Sequence, residues 1–158
     1  MAFPLGFTHI SGPYELRRFN ILSTATFKGR NPVMLGGART VIEASIASAP
    51  GIIGIAQHDA ASSIYGGEIL VMVPNEQTVF ATQVQTGVAA SALSAGAAYN
   101  LEKAGDYFRV DTDSQASAKV VIVPRADGTT INSADSSVFV QFMKDWIYPF
   151  GSNASQTL

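Results

Sequence analysis

The chain has 158 residues, of which 47% are hydrophobic and only 14% are charged, and its formal net charge is −2. It has no cysteine, which excludes disulfides, a thiol nucleophile and cysteine-ligated metals, and its two histidines are too few for a three-histidine metal centre. The ten basic residues form no tract that could neutralise a run of phosphates, so we expect no nucleic-acid partner. We also expect no membrane segment, because no apolar run approaches the roughly 18 residues of a membrane helix.

Residues 1–14 have the composition of an extended N-terminal arm. Proline or glycine at four positions is expected to interrupt any helix or strand: Pro4, Gly6, Gly12 and Pro13. Large apolar side chains stand between and after them: Phe3, Leu5, Phe7, Ile10 and Tyr14. A solvated linker would not carry so many apolar groups, so we expect the arm to pack on its own domain or on a partner. A disordered N-terminus is the alternative.

From residue 15 the sequence predicts short strands separated by turns. Apolar and polar residues alternate from Phe19 to Phe27, the period of a half-buried strand. Gly36-Gly37 is typical of a tight hairpin turn, because glycine reaches positive φ without penalty. The strands predicted in this half of the chain are 19–27, 32–35, 39–43, 51–56, 68–73 and 78–84.

The second half continues the pattern with two ambiguous stretches. Residues 87–96 fit either a short helix or an ordered loop, and Phe139, Phe142, Met143 and Trp146 have helical spacing inside a segment that we predict as a strand. The strands predicted here are 107–111, 119–123 and 138–148, with a turn at Asp127-Gly128. About nine short strands and at most one short helix indicate an all-β barrel or sandwich. We predict a single β-domain over 15–150 and a flexible tail over 151–158.

Groups able to carry catalysis are sparse. His58 and Asp59 are adjacent, so on a strand they would point to opposite faces, and a loop histidine beside a turn aspartate is the favoured interpretation. No serine stands in a G-x-S-x-G elbow, and the glycine pairs lack the Lys-Ser or Lys-Thr of a phosphate-binding loop. We therefore expect no enzyme activity, no catalytic residue and no cofactor.

Acidic residues cluster at one place in the sequence: Glu102, Asp106, Asp111 and Asp113. Carboxylates spaced by two can ligate calcium, but the glycine and distal glutamate of an EF-hand loop are absent. A solvated strand end is the favoured interpretation, and no metal site is predicted. If the domain instead bound a glycan or receptor, the first candidate binding residues would be Trp146, Tyr107 and the pair Asp111/Asp113.

One segment resembles a known family. The relevant stretches are residues 28–37, 41–44, 52–60, 79–82 and 95–101, and they include Gly54-Ile55-Ala56-Gln57-His58-Asp59-Ala60 and Gly96-Ala97-Ala98-Tyr99-Asn100-Leu101. In this order they resemble the small head-decoration, or capsid cement, proteins of tailed bacteriophages. The resemblance covers roughly residues 28–124 and consists of turn and core patterns. Residues 125–158 depart from it.

The resemblance implies a compact β-barrel or β-tulip-like domain with an extended N-terminal arm. It implies a homotrimer on the outer surface of the virion capsid, where it binds the major capsid protein and clamps neighbouring subunits, without catalysis or cofactor. The alternative is a glycan- or receptor-binding β-domain of a virion or fibre. Contacts with the capsid or with other subunits are expected from the arm and the basic doublet that follows it: Phe3, Pro4, Leu5, Phe7, Ile10, Pro13, Tyr14, Arg17 and Arg18.

Overall fold

The computed structural model describes residues 4–37, 40–45, 51–60, 67–85, 93–132 and 136–148. Almost all regular structure in these ranges is β, which confirms the predicted class. In chain order the strands are β1 (Thr8–Ser11), β2 (Tyr14–Ile21), β3 (Pro32–Gly37), β4 (Thr40–Glu43), β5 (Gly54–Ala56), β6 (Glu68–Pro74), β7 (Val79–Gln83), β8 (Ala98–Ala104), β9 (Tyr107–Asp111), β10 (Val120–Val123), β11 (Ile131–Asn132) and β12 (Ser137–Phe142), followed by a single 3-10 turn, Lys144–Trp146.

Five strands close into a barrel in the order β2-β4-β3-β5-β6. The β2–β4 pair is parallel and the other pairs are antiparallel, including the hairpin of β3 and β4 that the Gly36-Gly37 signal predicted. Alternate residues of β6, namely Ile69, Val71 and Val73, face the barrel core, where Phe19 and Val33 are also buried. This alternation is the sequence signal that defines the inside of the barrel.

The other strands form a second sheet in the order β1-β7-β12-β10-β8-β9, with β11 on β12. Val84, directly after β7, makes a parallel bridge with Val110 of β9, which brings the two ends of the sheet together. β1 and β9 therefore pair with different parts of this segment: β1 pairs with residues 79–81 and β9 pairs with Val84. The sheet wraps around a larger core that includes Phe7, Phe80 and Phe142.

A two-stranded crossing ribbon, residues 8–20 paired with residues 68–81, runs from the second sheet into the barrel. It bends where Gly12-Pro13 faces the turn between β6 and β7. The Thr78 hydroxyl donates a hydrogen bond to the carbonyl of Pro13 and accepts one from the backbone N–H of Asn75 at 3.0 Å. Gly12 has a φ of 87°, and a Cβ there would collide with the backbone of Gln77. The bend is thus fixed by local bonds and close backbone contact.

Two of the strand predictions were wrong in their bounds. The strand predicted over 19–27 is β2, which begins at Tyr14 and ends at Ile21, because the chain turns where the Ala25 N–H bonds the Leu22 carbonyl at 2.8 Å. The strand predicted over 138–148 ends at Phe142, and one 3-10 turn follows, so the helical spacing there marked a single turn.

The N-terminal segment contains a strand that its composition did not predict. Glycine and proline were expected to exclude regular structure from residues 1–14, yet β1 occupies the four residues Thr8–Ser11. Gly6 and Gly12, both at positive φ, flank this strand instead of interrupting it. The ambiguous stretch 87–96 lies largely outside the described residues, as do Phe3 and the tail 151–158.

Candidate functional site

His58 and Asp59 do not form a catalytic pair. The Asp59 carboxylate accepts a hydrogen bond from the backbone N–H of Gly29 at 2.7 Å and lies 3.8 Å from the Lys28 ammonium. The buried His58 Nε2 atom has no hydrogen-bond partner among the residues that the structure describes. Asp59 therefore holds the loop at residues 28–30, which agrees with the interpretation of a turn aspartate beside a loop histidine.

The acidic cluster is divided among separate structural contacts. Glu102 pairs with Arg109 at 2.8 Å, and the carboxylates of Asp111 and Asp113 both lie within 3.5 Å of the Gln85 amide nitrogen. Within the described ranges no three His, Asp or Glu side chains come together as metal ligands. The structure does not gather these carboxylates into one site.

The two aromatic candidates for a glycan site have different surroundings. Trp146 is buried in the core of the second sheet, where its ring is 5.8 Å from that of Phe142. Tyr107 is half-buried beneath the guanidinium of Arg30, 5.8 Å from the ring centre. Trp146 therefore presents no open face, and Tyr107 lies at the opposite end of β9 from Asp111.

The predicted contact residues divide into core and surface. Phe7 is only 2% exposed and belongs to this chain's own core, so its side chain is not available to a partner. Ile10 and Arg17 are half-buried, and Phe3 lies outside the described residues. The exposed members of the predicted set are Pro4, Leu5, Pro13, Tyr14 and Arg18.

Leu16 was missed by the sequence analysis and is one of the most exposed large apolar side chains in the described part of the chain. Its exposure is 50%, beside 45% for Tyr14 two residues earlier on the same face of β2. Arg18 follows on that face, while Phe19 points into the barrel. Had the strand been predicted from Tyr14, its alternation would have put Leu16 on the outer face. We call Tyr14, Leu16 and Arg18 the outer β2 face.

A groove of about 720 Å³ lies at the bend of the crossing ribbon, and we call it the ribbon groove. Three segments line it: the start of β2, the turn at residues 73–77 and the segment 144–148 that contains the 3-10 turn. Residues 146–148 are held by Ile52, whose N–H bonds the Trp146 carbonyl and whose carbonyl accepts from the Tyr148 N–H, each at 2.8 Å. A Cβ on the adjacent Gly51 would overlap the Trp146 carbonyl, so glycine is required for this approach.

Charges around the ribbon groove are only partly paired. The Nε and Nη2 atoms of Arg17 both donate to the Oε2 atom of Glu15, at 2.9 and 2.7 Å, and the two charges on the β2 wall neutralise each other. Glu76, Lys144 and Asp145 are exposed and make no ion pair within the described part of the chain. Apolar walls with unpaired charges at the rim can recognise another molecule by burial and by electrostatic complementarity.

One carboxyl elsewhere is perturbed, at the predicted Asp127-Gly128 turn. The hydroxyl and backbone N–H of Thr129 donate to the Asp127 carboxylate, at 2.7 and 3.0 Å, and lower its pKa below the ordinary value. These bonds hold a fully exposed turn that lines neither the ribbon groove nor the outer β2 face.

No family model matches the chain, and no curated protein sequence matches it. The resemblance to head-decoration proteins therefore stays a prediction made from the residues. Among the described residues no helix has the length and apolar character needed to cross a membrane.

Proposed function

We propose that this protein is a structural capsid decoration protein. It binds the outer surface of a tailed-phage head as a homotrimer and stabilises contacts between major capsid subunits. The observation that carries the proposal is the outer β2 face, where Tyr14 and Leu16 are about half exposed on a strand paired with β6 along its length. Exposed apolar side chains on a rigid element are typical of an interaction surface.

The low charge of the chain supports the same proposal. Only 14% of its residues are charged, against about 25% in an average soluble domain. Charged groups are depleted from interface cores, because their desolvation opposes binding. A trimer would present three copies of the outer β2 face, so a modest affinity at each copy would become a much higher avidity on the repeating surface of a capsid.

We expect Leu16→Glu to weaken binding to decoration-free capsids about tenfold or more, because a carboxylate would then have to be desolvated where an apolar side chain was buried. Co-sedimentation of purified protein with capsids over a concentration series measures this. Gln115→Glu adds the same charge at an exposed position after β9 and should bind like the wild type. Equal binding by Leu16→Glu and the wild type would contradict the role of this face.

Copy number tests the function independently of any variant. Quantitative peptide mass spectrometry of purified virions should find a ratio near one copy per major capsid subunit. A few copies per particle would contradict decoration and favour a receptor-binding module at a fibre or vertex. Absence of the chain from virions would reject both functions.

A further inference from the structure

We propose that the ribbon groove binds an extended, proline-containing peptide segment that carries a basic side chain. The proposal goes beyond capsid decoration, because it concerns a groove that Leu16 and Arg18 do not line and because it requires no capsid. Glu15 and Arg17, which line the groove, point to the opposite side of the strand from Leu16. Its volume of about 720 Å³ lies within the range of about 300–1,000 Å³ found for specific ligand sites.

The apolar part of the groove is built from prolines and tyrosines. Pro13, Tyr14 and Pro74 line it from the crossing ribbon, and Tyr148 lines it from the segment after the 3-10 turn. The Tyr14 ring packs edge-on against His9, with ring centres 4.6 Å apart, which restricts its orientation before any ligand arrives. Aromatic-lined grooves of this kind accept polyproline II segments, which are already extended and lose little conformational entropy on binding.

The walls of the groove are held in place by backbone bonds. The Tyr14 wall is fixed by the Thr78–Pro13 hydrogen bond at the ribbon's bend, and the Tyr148 wall by its bond to Ile52. A preformed groove avoids the cost of ordering its own side chains and loops when it binds. This rigidity favours a ligand that is itself preorganised.

The charge of the groove selects a basic ligand. Glu15 and Arg17 neutralise each other, which leaves the carboxylates of Glu76 and Asp145 against the single ammonium of Lys144. A lysine or arginine of the ligand would complement this excess of negative charge at the rim. A neutral glycan carries no cation to meet this excess of negative charge. We therefore favour a peptide over a glycan.

The test is a titration of the uniformly ¹⁵N-labelled full chain, followed by NMR, with a panel of synthetic decapeptides that combine prolines, leucine and one arginine at varied positions. Matched peptides replace the arginine by glutamate or the prolines by glycine, and a cello-oligosaccharide and a chito-oligosaccharide represent glycans. We expect shifts of backbone amides at residues 14–17, 75–77 and 144–148. The glutamate and glycine peptides should bind about tenfold more weakly, which corresponds to about 1.4 kcal/mol.

Three variants make the outcome decisive. Tyr14→Ala should remove the shifts, whereas Leu16→Ala, two residues along the same face but outside the lining of the groove, should keep them. Asp145→Lys lies on the exposed 3-10 turn and should make the glutamate peptide the better ligand, provided that its own spectrum stays folded. The proposal is overturned if no peptide of the panel shifts these amides, if the shifts lie elsewhere, or if an oligosaccharide shifts them in place of the peptides.

Discussion

Replacing Phe7 by alanine is expected to lower the free energy of unfolding by about 3–5 kcal/mol. The side chain is 2% exposed and fills the core of the second sheet from its N-terminal edge. Its ring lies 5.0 Å from that of Phe142 and 6.2 Å from that of Phe80, in a cluster of three. Alanine would leave a cavity beside these two rings, whose centres are 5.4 Å apart, and a closely packed core relaxes only partly into such a cavity.

Chemical denaturation followed by tryptophan fluorescence measures this loss, since Trp146 packs against Phe142 in the same core. Leu5→Ala is the matched control, because Leu5 is 53% exposed two residues earlier and should change stability by no more than about 0.5 kcal/mol. Equal effects of the two substitutions would place Phe7 outside the core.

The position of Phe7 also changes how attachment can be tested. The sequence predicted that the arm packs either on its own domain or on a partner, and only in the second case could it be deleted without harm to the fold. Such a deletion would remove Phe7 from the core and β1 from the edge of β7. Weaker capsid binding by the truncated chain could then reflect unfolding, so the point variant at Leu16 is the cleaner experiment.

Phe7 and Leu5 illustrate what the sequence could predict and what it could not. Strands such as β6 alternate over seven residues, and that period identifies their buried face without any knowledge of partners. Between Gly6 and Gly12 only four residues form a strand, too few for a period to emerge. Apolar composition predicted that the segment packs against something, while the choice between core and surface depended on long-range pairing with β7.

The ribbon groove could not be predicted for a related reason. Its three segments are separated by more than 50 residues of sequence at each step, and none carries a motif. They meet because the ribbon bends at Gly12-Pro13 and because Ile52 binds the segment after β12. Local sequence signals specify strands and turns. The meeting of these three segments depends instead on the path of the ribbon from the second sheet into the barrel.

Asn31→Ala is expected to lower the free energy of unfolding by about 2–3 kcal/mol. The Asn31 side chain is fully buried between the barrel and the second sheet. Its amide group donates to the carbonyl of Asp106 at 2.7 Å, and its amide oxygen accepts from the N–H of Phe108 at 3.3 Å. Alanine would leave the buried Phe108 N–H without a partner, and that desolvation cost dominates the expected loss. Asn20→Ala, at an exposed position of β2, should have little effect.

Asn31→Asp separates the hydrogen bonds from the packing, because it keeps the shape of the side chain. A carboxylate could still accept from Phe108, but it would face the Asp106 carbonyl with no proton to donate. Burial should raise the pKa of the introduced carboxyl above its unfolded value of about 3.9. The folded state then binds more protons than the unfolded state, so stability relative to wild type should fall as pH rises from about 4 to 7.

Denaturation at several pH values measures this dependence. The Asn31→Asp variant should approach wild-type stability near pH 4, where a protonated carboxyl can donate to the Asp106 carbonyl as the amide does. Gln115→Glu makes the same amide-to-acid change at an exposed position and should show no comparable slope. If the stability lost in Asn31→Asp did not depend on pH, the introduced carboxyl would be exposed to solvent. Residue 31 would then not be buried between the barrel and the second sheet.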